Sequence, residues 1–285
     1  MSEKKVWFIT GSSTGLGRAL AEEALTQGYK VVATARKPEV LRDLVEKYPG
    51  TARAVKLDVT KPGEVRAAIA QAVKQFGRVD VVVNNAGYGL IGALEEATDA
   101  QIRHQFETNV FGALDVIRAV LPQMREQKSG HILNVSSVGG FMAYAFTGFY
   151  AATKFALEAF SEALAKEVEP HGIKVTIVEP GAFRTDFNGR SLTVGENQMP
   201  EIYPATFFDW LQDMDGNQPG DPLKAAQAII KVVKSENPPL RLLLGEDAIL
   251  AIEAELENVR KDIAPWRQVG IDTNFEGMKA GAIGG

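Results

Sequence analysis

Between the apolar run Val6-Trp7-Phe8-Ile9 and a helical stripe beginning at Leu16 lies the segment Thr10-Gly11-Ser12-Ser13-Thr14-Gly15-Leu16-Gly17. A short apolar run, a glycine-rich turn and apolar residues at Leu16, Leu20 and Ala24 read as strand, tight turn and helix. Glycines at 11, 15 and 17 let the backbone turn sharply and come close to a bulky anion. The free amides and dipole of the helix that follows favour negative charge at its start. Such turns also form for packing alone, but placed after the first strand and before a helix, this one points to the pyrophosphate of a dinucleotide.

Working outward, short Val/Ile-rich runs alternate with amphipathic stretches of helical length. Strands are expected near 5–10, 30–35, 52–57, 79–84, 130–136, 173–179 and 240–244. Most are apolar throughout rather than alternating, Val79 to Val83 being broken only by Asp80, as befits parallel strands covered on both faces. The expected fold is α/β, a single-domain Rossmann-type doubly wound parallel sheet of about seven strands with helices on both faces, spanning residues 1–285. One helix is opened by Pro38 and carries the stripe Leu41, Leu44, Val45 and Tyr48. Others run from after Thr98 to about Gln127, from about Leu223 to Ser235 and from Asp247 to Ile263. Residues 188–222 break the rhythm with Gly189, Gly195, Pro200, Pro204, Gly216, Pro219 and Gly220. They read as an inserted loop with a short helix at Phe207-Phe208-Asp209-Trp210, and residues 246–285 read as a helical extension whose tail frays after Lys279.

With 45% hydrophobic and 24% charged residues, the chain has the composition of a soluble globular protein large enough to bury a two-faced core. A net charge of -5 with scattered Lys and Arg leaves no basic footprint, so neither nucleic acid nor a membrane surface is an expected partner. The apolar run after Lys5 is too short for a signal-peptide core or a membrane span. The sequence has no cysteine, which excludes disulfides, thiolate catalysis and zinc-cysteine sites and fits a cytoplasmic location. His104, His131 and His171 lie far apart without metal-ligand spacing, and no metal is expected.

The spacing TGxxxGxG departs from GxGxxG and resembles the fingerprint of the short-chain dehydrogenase/reductase family. The resemblance extends over roughly residues 5 to 186. It implies that Gly11, Ser13, Thr14, Gly15, Leu16 and Gly17 hold the phosphates of a nicotinamide dinucleotide. At the end of the second strand Ala35 stands where NAD-selective relatives usually carry Asp, and Arg36 is able to pair bidentately with a 2'-phosphate, so NADP(H) is the expected cofactor. Against this, Arg36-Lys37 also reads as a solvated helix start, and Thr14 stands where many NADP-preferring relatives place a second basic residue. By the same resemblance Asp58-Val59 hold the adenine, and Asn85, Ala86 and Gly87 of the Asn84–Gly87 segment lie beside its ribose. Pro180, Gly181, Phe183 and Thr185 resemble the segment that fixes the carboxamide, which implies transfer of the pro-S hydride.

Of the six tyrosines, Tyr150 alone has a lysine four positions on, Lys154, so that both project from one face of a helix. Ser137 lies thirteen residues earlier at the end of the fifth strand, where open α/β sheets bind ligands. In this company Ser137 matches the family's catalytic serine, and Asn109 matches its fourth member. Hydride transfer to a carbonyl builds negative charge on oxygen, which calls for a donor to hold that oxygen and an acid to protonate it. Ser137 is assigned the holding and Tyr150 the proton. Lys154 lowers the phenol's pKa and holds the nicotinamide ribose, and Asn109 serves a water-linked relay behind Lys154.

Tyr88, Leu90, Phe141, Tyr144, Phe146, Phe149, Phe183 and Phe187 form an aromatic and apolar set that fits an apolar ketone, aldehyde or alcohol, although several read equally well as core. The resemblance also implies a homo-oligomer, dimer or tetramer, formed through the long helices that carry Asn109 and Tyr150, one interface of which the C-terminal extension is placed to block. An NAD-dependent alcohol dehydrogenase is the nearest alternative. A nucleotide-sensing protein on the same scaffold is disfavoured by the presence of all four reacting residues, and an extended-branch isomerase or dehydratase by the glycine spacing.

Overall fold

Strand β1 (Val6–Ile9) is wholly buried, and its side chains alternate between two cores, Trp7 and Ile9 facing one and Phe8 the other. That alternation repeats in β2 (Lys30–Ala35) and β4 (Val81–Asn84), which flank β1 in parallel with Trp7 opposite both Val31 and Val81. The computed structural model describes residues 4–203, 209, 211, 213–278, 280 and 281. Its main sheet adds β3 (Ala52–Lys56), β6 (Gly130–Val135), β7 (Ile173–Pro180) and β9 (Arg241–Leu244) in the order β3-β2-β1-β4-β6-β7-β9, all parallel. The seven-stranded parallel sheet expected from the sequence is therefore present, with the chain reversing its direction of travel between β1 and β4.

On one face pack α1 (Gly15–Thr26), α2 (Arg42–Lys47) and α7 (Pro222–Lys234), with Leu20, Leu44, Ile229 and Ile230 in one core cluster. On the other lie α3 (Pro62–Phe76), α5 (Gly112–Gln127) and α6 (Gly148–Val168), with Val65, Ile117, Val120 and Leu164 in a second. Each Leu, Ile or Val buried here contributes about 1.5–3 kcal/mol. Residue types set the helix ends. Pro38 opens a 3-10 turn before α2, and the Asp221 carboxylate accepts from the amides of Leu223 and Lys224 to start α7. Thr98 and Gln101 form a reciprocal capping box on α4 (Asp99–Phe106).

Three features differ from the sequence reading. The helix expected from Thr98 to Gln127 is continuous but carries a π-helical turn at Glu107–Phe111, marked by Gly112 N–H donating to the Glu107 carbonyl. Gly112 lies so close to Val59 that a Cβ there would sit 2.8 Å from its methyl carbon, so α5 is pressed onto the end of β3's loop. The inserted segment contributes β8 (Leu192–Val194), which pairs in parallel with β5 (Gly89–Ile91). A bridge between Phe183 and Gly220 closes its base. Of the short helix expected at Phe207-Phe208-Asp209-Trp210, all but Asp209 lie outside the described residues. The last helix, α8 (Glu246–Ile271), runs eight residues past its expected end at Ile263, because Pro265 is accommodated inside it. Of the tail that begins at Lys279, that residue and 282–285 also lie outside the described residues. Among the described residues no helix is long and apolar enough to cross a membrane.

Candidate active site

The point where strand order reverses places the ends of β1 and β4 side by side, and hydrogen bonds lock them together. The Thr10 hydroxyl accepts from the amides of Asn85 and Ala86, both at 2.9 Å, and the Asn85 amide nitrogen donates to the carbonyls of Thr10 and Gly11, both at 3.0 Å. Gly17 and Gly11 fit only as glycine. A Cβ on Gly17 would lie 2.3 Å from Asn85 Nδ2, and one on Gly11, whose φ is 65°, 2.9 Å from Ala86 Cα. Thr14 precedes α1 without a side-chain cap bond, and the first turn carries no acidic residue. The start of α1 thus presents amides and a positive dipole end to an anion in a cradle kept free of side-chain carbon, which fits a dinucleotide pyrophosphate.

Of the other expected cofactor residues, Asn85, Ala86 and Thr185 border this cradle. A Cβ on Gly15 would meet Thr185 at 3.5 Å, so the loop after β7 reaches the phosphate turn. Burial works to raise the Asp58 carboxyl, but the Thr60 hydrogen bonds and then the charge of Arg36, exposed at the end of β2, hold it below its ordinary value. Asp58 accepts from both the amide and the hydroxyl of Thr60, which fixes the loop after β3. Pro180 ends β7, and Gly181 leaves room for the Asp247 carboxylate, which accepts from the Ala182 amide. Phe183 turns its ring into the core beside Gly220.

Tyr150 and Lys154 lie one turn apart on α6 with the ammonium 5.6 Å from the ring centroid, and Lys154 Nζ donates to the Val135 carbonyl at the end of β6 at 2.8 Å. Ser137 caps the 3-10 turn Val138–Gly140, its hydroxyl accepting from Gly139 N–H. A Cβ on Gly139 would lie 3.4 Å from the Tyr150 ring and 3.5 Å from Ser137 Oγ, so serine and phenol share one side of that turn. Ser136, by contrast, is buried toward Glu158 and Gly140. Burial pushes the Tyr150 phenol up to about 12, with a Ser137 hydrogen bond acting in the opposite sense, and lowers Lys154 to about 8, with the Glu158 charge opposing.

Asn109 sits in the π turn, which is how a polar residue in an apolar helix reaches the site. Its Oδ1 accepts from Tyr88 N–H at 3.1 Å, and its Nδ2 donates to the Tyr88 carbonyl and to Thr153 Oγ1, which in turn donates to the Tyr150 carbonyl at 2.7 Å. Gly87 fits between Asn109 and Lys154, where a Cβ would lie 3.1 Å from Oδ1 and 3.7 Å from Nζ. Of the apolar set, the Phe187 ring packs tilted against Tyr150 with centroids 5.7 Å apart, and the Tyr88 ring lies 5.9 Å from that of His104. Phe146 has a φ of 68°, an uncommon conformation for a bulky residue, in the loop just before α6. Leu90 is fully buried, and Phe183, partly exposed, packs its ring against the core cluster.

Sequence reasoning missed Thr10, Thr153 and Glu158. Glu158 had a signal, since it follows Lys154 by the same four residues that separate Lys154 from Tyr150. Thr10 and Thr153 act through hydrogen bonds to residues far along the chain, which spacing does not reveal.

Residues 5–193 match the family model described as short chain dehydrogenase. The chain is 43% identical over 272 residues to "Oxidoreductase BOA17" of Botryotinia fuckeliana, covering 94% of this chain and 98% of that one. It is 40% identical over 248 residues to the "3-ketodihydrosphingosine reductase" of Bacteroides thetaiotaomicron, covering 85% and 88% respectively. A solved short-chain dehydrogenase from Streptomyces avermitilis superposes with a TM-score of 0.90 at 46% identity, covering 96% of this chain and 100% of that one.

Proposed function

Since the chain belongs to the short-chain dehydrogenase/reductase family of oxidoreductases that act on CH–OH or C=O groups with NAD(P), we propose that it is an NADPH-dependent carbonyl reductase, or the reverse secondary alcohol dehydrogenase, for apolar substrates. The observation that carries this reading is the meeting of Ser137, Tyr150 and Lys154 around the turn after β6, beside a glycine cradle at the start of α1.

The dinucleotide supplies or accepts the hydride when bound. Gly11, Gly15 and Gly17 with the first amides of α1 hold its pyrophosphate, Asp58 and Val59 the adenine, and Asn85, Ala86 and Gly87 the adjoining ribose. Ser137 Oγ holds the reacting oxygen, and the Tyr150 hydroxyl gives it a proton in reduction or takes one in oxidation. A phenol pushed up to about 12 suits the acid role at neutral pH, and charge on Lys154 is what brings phenolate within reach for the reverse direction. Asn109 clamps the Tyr88 backbone and, through Thr153, the turn of α6 that bears Tyr150. This fixes the phenol's position, a role added to the relay suggested by resemblance.

The preference for NADPH rests on Ala35 and the exposed Arg36. The apolar substrate class rests on Phe187 against Tyr150 and on Tyr88, and is supported by the ketone reduction stated in the name of the Bacteroides relative. Cytoplasmic location and a homo-oligomer belong to the same proposal.

The test is titration with NADPH and NADH, followed by absorbance at 340 nm with a panel of apolar ketones. Tyr150→Phe is expected to keep nucleotide binding and lose roughly 10²–10⁴-fold in turnover. Arg36→Asp is expected to weaken NADPH roughly 10- to 100-fold, the worth of one charged hydrogen-bonded pair, and to leave NADH unchanged. Binding of both nucleotides without turnover in either direction would overturn the catalytic reading in favour of a sensing protein.

A further inference from the structure

Helix α8 leaves the body of the protein halfway along its length. Ala248 and Ile252 are buried, but every described residue from Leu256 to Met278 is exposed. The sixteen residues Leu256–Ile271 therefore form an arm roughly 24 Å long. A helix of that length is marginal in water unless an apolar face finds a partner. This arm has such a face. Ile252, Leu256, Val259, Ile263, Trp266 and Gly270 follow one another at alternating steps of four and three, the spacing of a two-helix seam. Beyond Ile252 the seam is open, with Leu256 and Val259 each 44% exposed, Ile263 52% and Trp266 68%. Large side chains in one exposed row mark an interaction site rather than the scatter found on any surface.

The flanking charges select the occupant. In a parallel pair of helices, the residue just before each Leu256-type seam position faces the residue five positions on in the other helix. Here those residues are Asp262 and Arg267, and Glu255 and Arg260, opposite in sign in both cases. Antiparallel pairing of two such arms would instead face Arg260 with Arg260 or Arg267. The arm is thus complementary to itself, in one orientation, as a closed two-fold contact requires. A membrane surface fits less well, because residues 246–271 carry six acidic and three basic side chains.

We propose that the α8 arm is a dimerisation element that pairs in parallel with the same arm of a second copy of this chain, Ile263 meeting its own counterpart across the two-fold axis. The proposal is independent of the catalytic reading.

Sedimentation velocity on the full-length protein tests it, with circular dichroism to confirm that each variant is folded. Ile263→Asp is expected to stay folded and to halve the size of the wild-type assembly, a dimer falling to a monomer or, where the long helices also pair, a tetramer to a dimer. Asp262→Arg and Arg267→Asp are each expected to weaken the dimer about fivefold, the worth of two exposed ion pairs, and the double variant D262R/R267D to restore it. Because the chain has no cysteine, Ile263→Cys offers one thiol per copy and is expected to cross-link copies under oxidising conditions. A monomeric wild type, an assembly whose size is unchanged by Ile263→Asp, or an Ile263→Cys variant that associates like the wild type without cross-linking would overturn the proposal. So would a wild-type monomer that pellets with phosphatidylcholine/phosphatidylserine vesicles through Trp266.

Discussion

Replacing Arg241 by methionine removes the one cation that three carboxylates share. From β9, Arg241 Nη1 donates to Glu179 on β7 at 2.7 Å and to Glu158 on α6, and its Nη2 donates to Glu162. Glu179 is fully buried and the Glu158 side chain is 6% exposed, whereas Glu162 is open to water and able to relax. Breaking a buried pair from one side costs about 3–5 kcal/mol. Protonation caps that cost, since a buried carboxyl escapes its charge by binding a proton at about 1.4 kcal/mol per pH unit above its unfolded pKa. For a glutamate at pH 7 the cap is about 3.7 kcal/mol, and at pH 5 about 1 kcal/mol. Burial already raises Glu158 to about 7, so it has little left to lose, and Glu179 dominates the change. Burial raises Glu179 above its ordinary value even with Arg241 present, so Arg241→Met is expected to lose at most about 3.7 kcal/mol at pH 7 and at most about 1 kcal/mol at pH 5. For a chain of this size that is a fall in Tm of up to about 7 °C at pH 7 and up to about 2 °C at pH 5.

The sign follows from proton binding. A carboxyl whose folded pKa lies above its unfolded value leaves the folded state holding more protons, so stability is lost as pH rises through that interval. Thermal unfolding followed by circular dichroism from pH 5 to 8 is the assay, with Glu179→Gln added to Arg241→Met to recover most of the loss. A fall in Tm equal at pH 5 and pH 7, or no recovery on adding Glu179→Gln, would refute the reasoning. The cluster also bears on the site, because the Arg241 guanidinium lies 5.8 Å from the ring of Phe141, directly after the turn that carries Ser137.

Two further predictions follow from other parts of the fold. Gly17→Ala forces a Cβ to 2.3 Å from Asn85 Nδ2 and 2.5 Å from the Gly11 carbonyl, and is expected to cost about 1–3 kcal/mol and weaken both nucleotides in a fluorescence titration; unchanged affinity would count against the cradle. His131, buried in β6 against Thr176, is lowered to about 3 by burial, so the stability it contributes is present above pH 6.5 and lost as pH falls. His131→Gln is expected to remove roughly 2.7 kcal/mol of the loss between pH 6.5 and 4.5, and an acid limb that keeps its slope in the variant would exclude this histidine as its source.

How much was legible in the chain depends on the range of the interaction. Thr10 to Gly17 announced strand, turn and cradle, and the all-apolar runs announced parallel strands buried on both faces, because these are properties of consecutive residues. The pairing of Tyr150 with Lys154 was legible for the same reason, as both sit on one face of one helix. Alternation of strands and helices determined the fold class and the seven-stranded sheet. The tertiary structure alone decided what depends on residues brought together from afar. Thr10 locks β1 to Asn85 across 75 positions, Arg241 meets Glu158 across 83, and β5 pairs with β8 through an insertion that read as irregular loop. The π turn at Asn109 likewise had no local signal, since it arises where the helix is pressed against Val59. Local propensity and periodicity are written in neighbouring residues, whereas buried charge networks and close backbone approaches exist only once packing has chosen which distant segments touch.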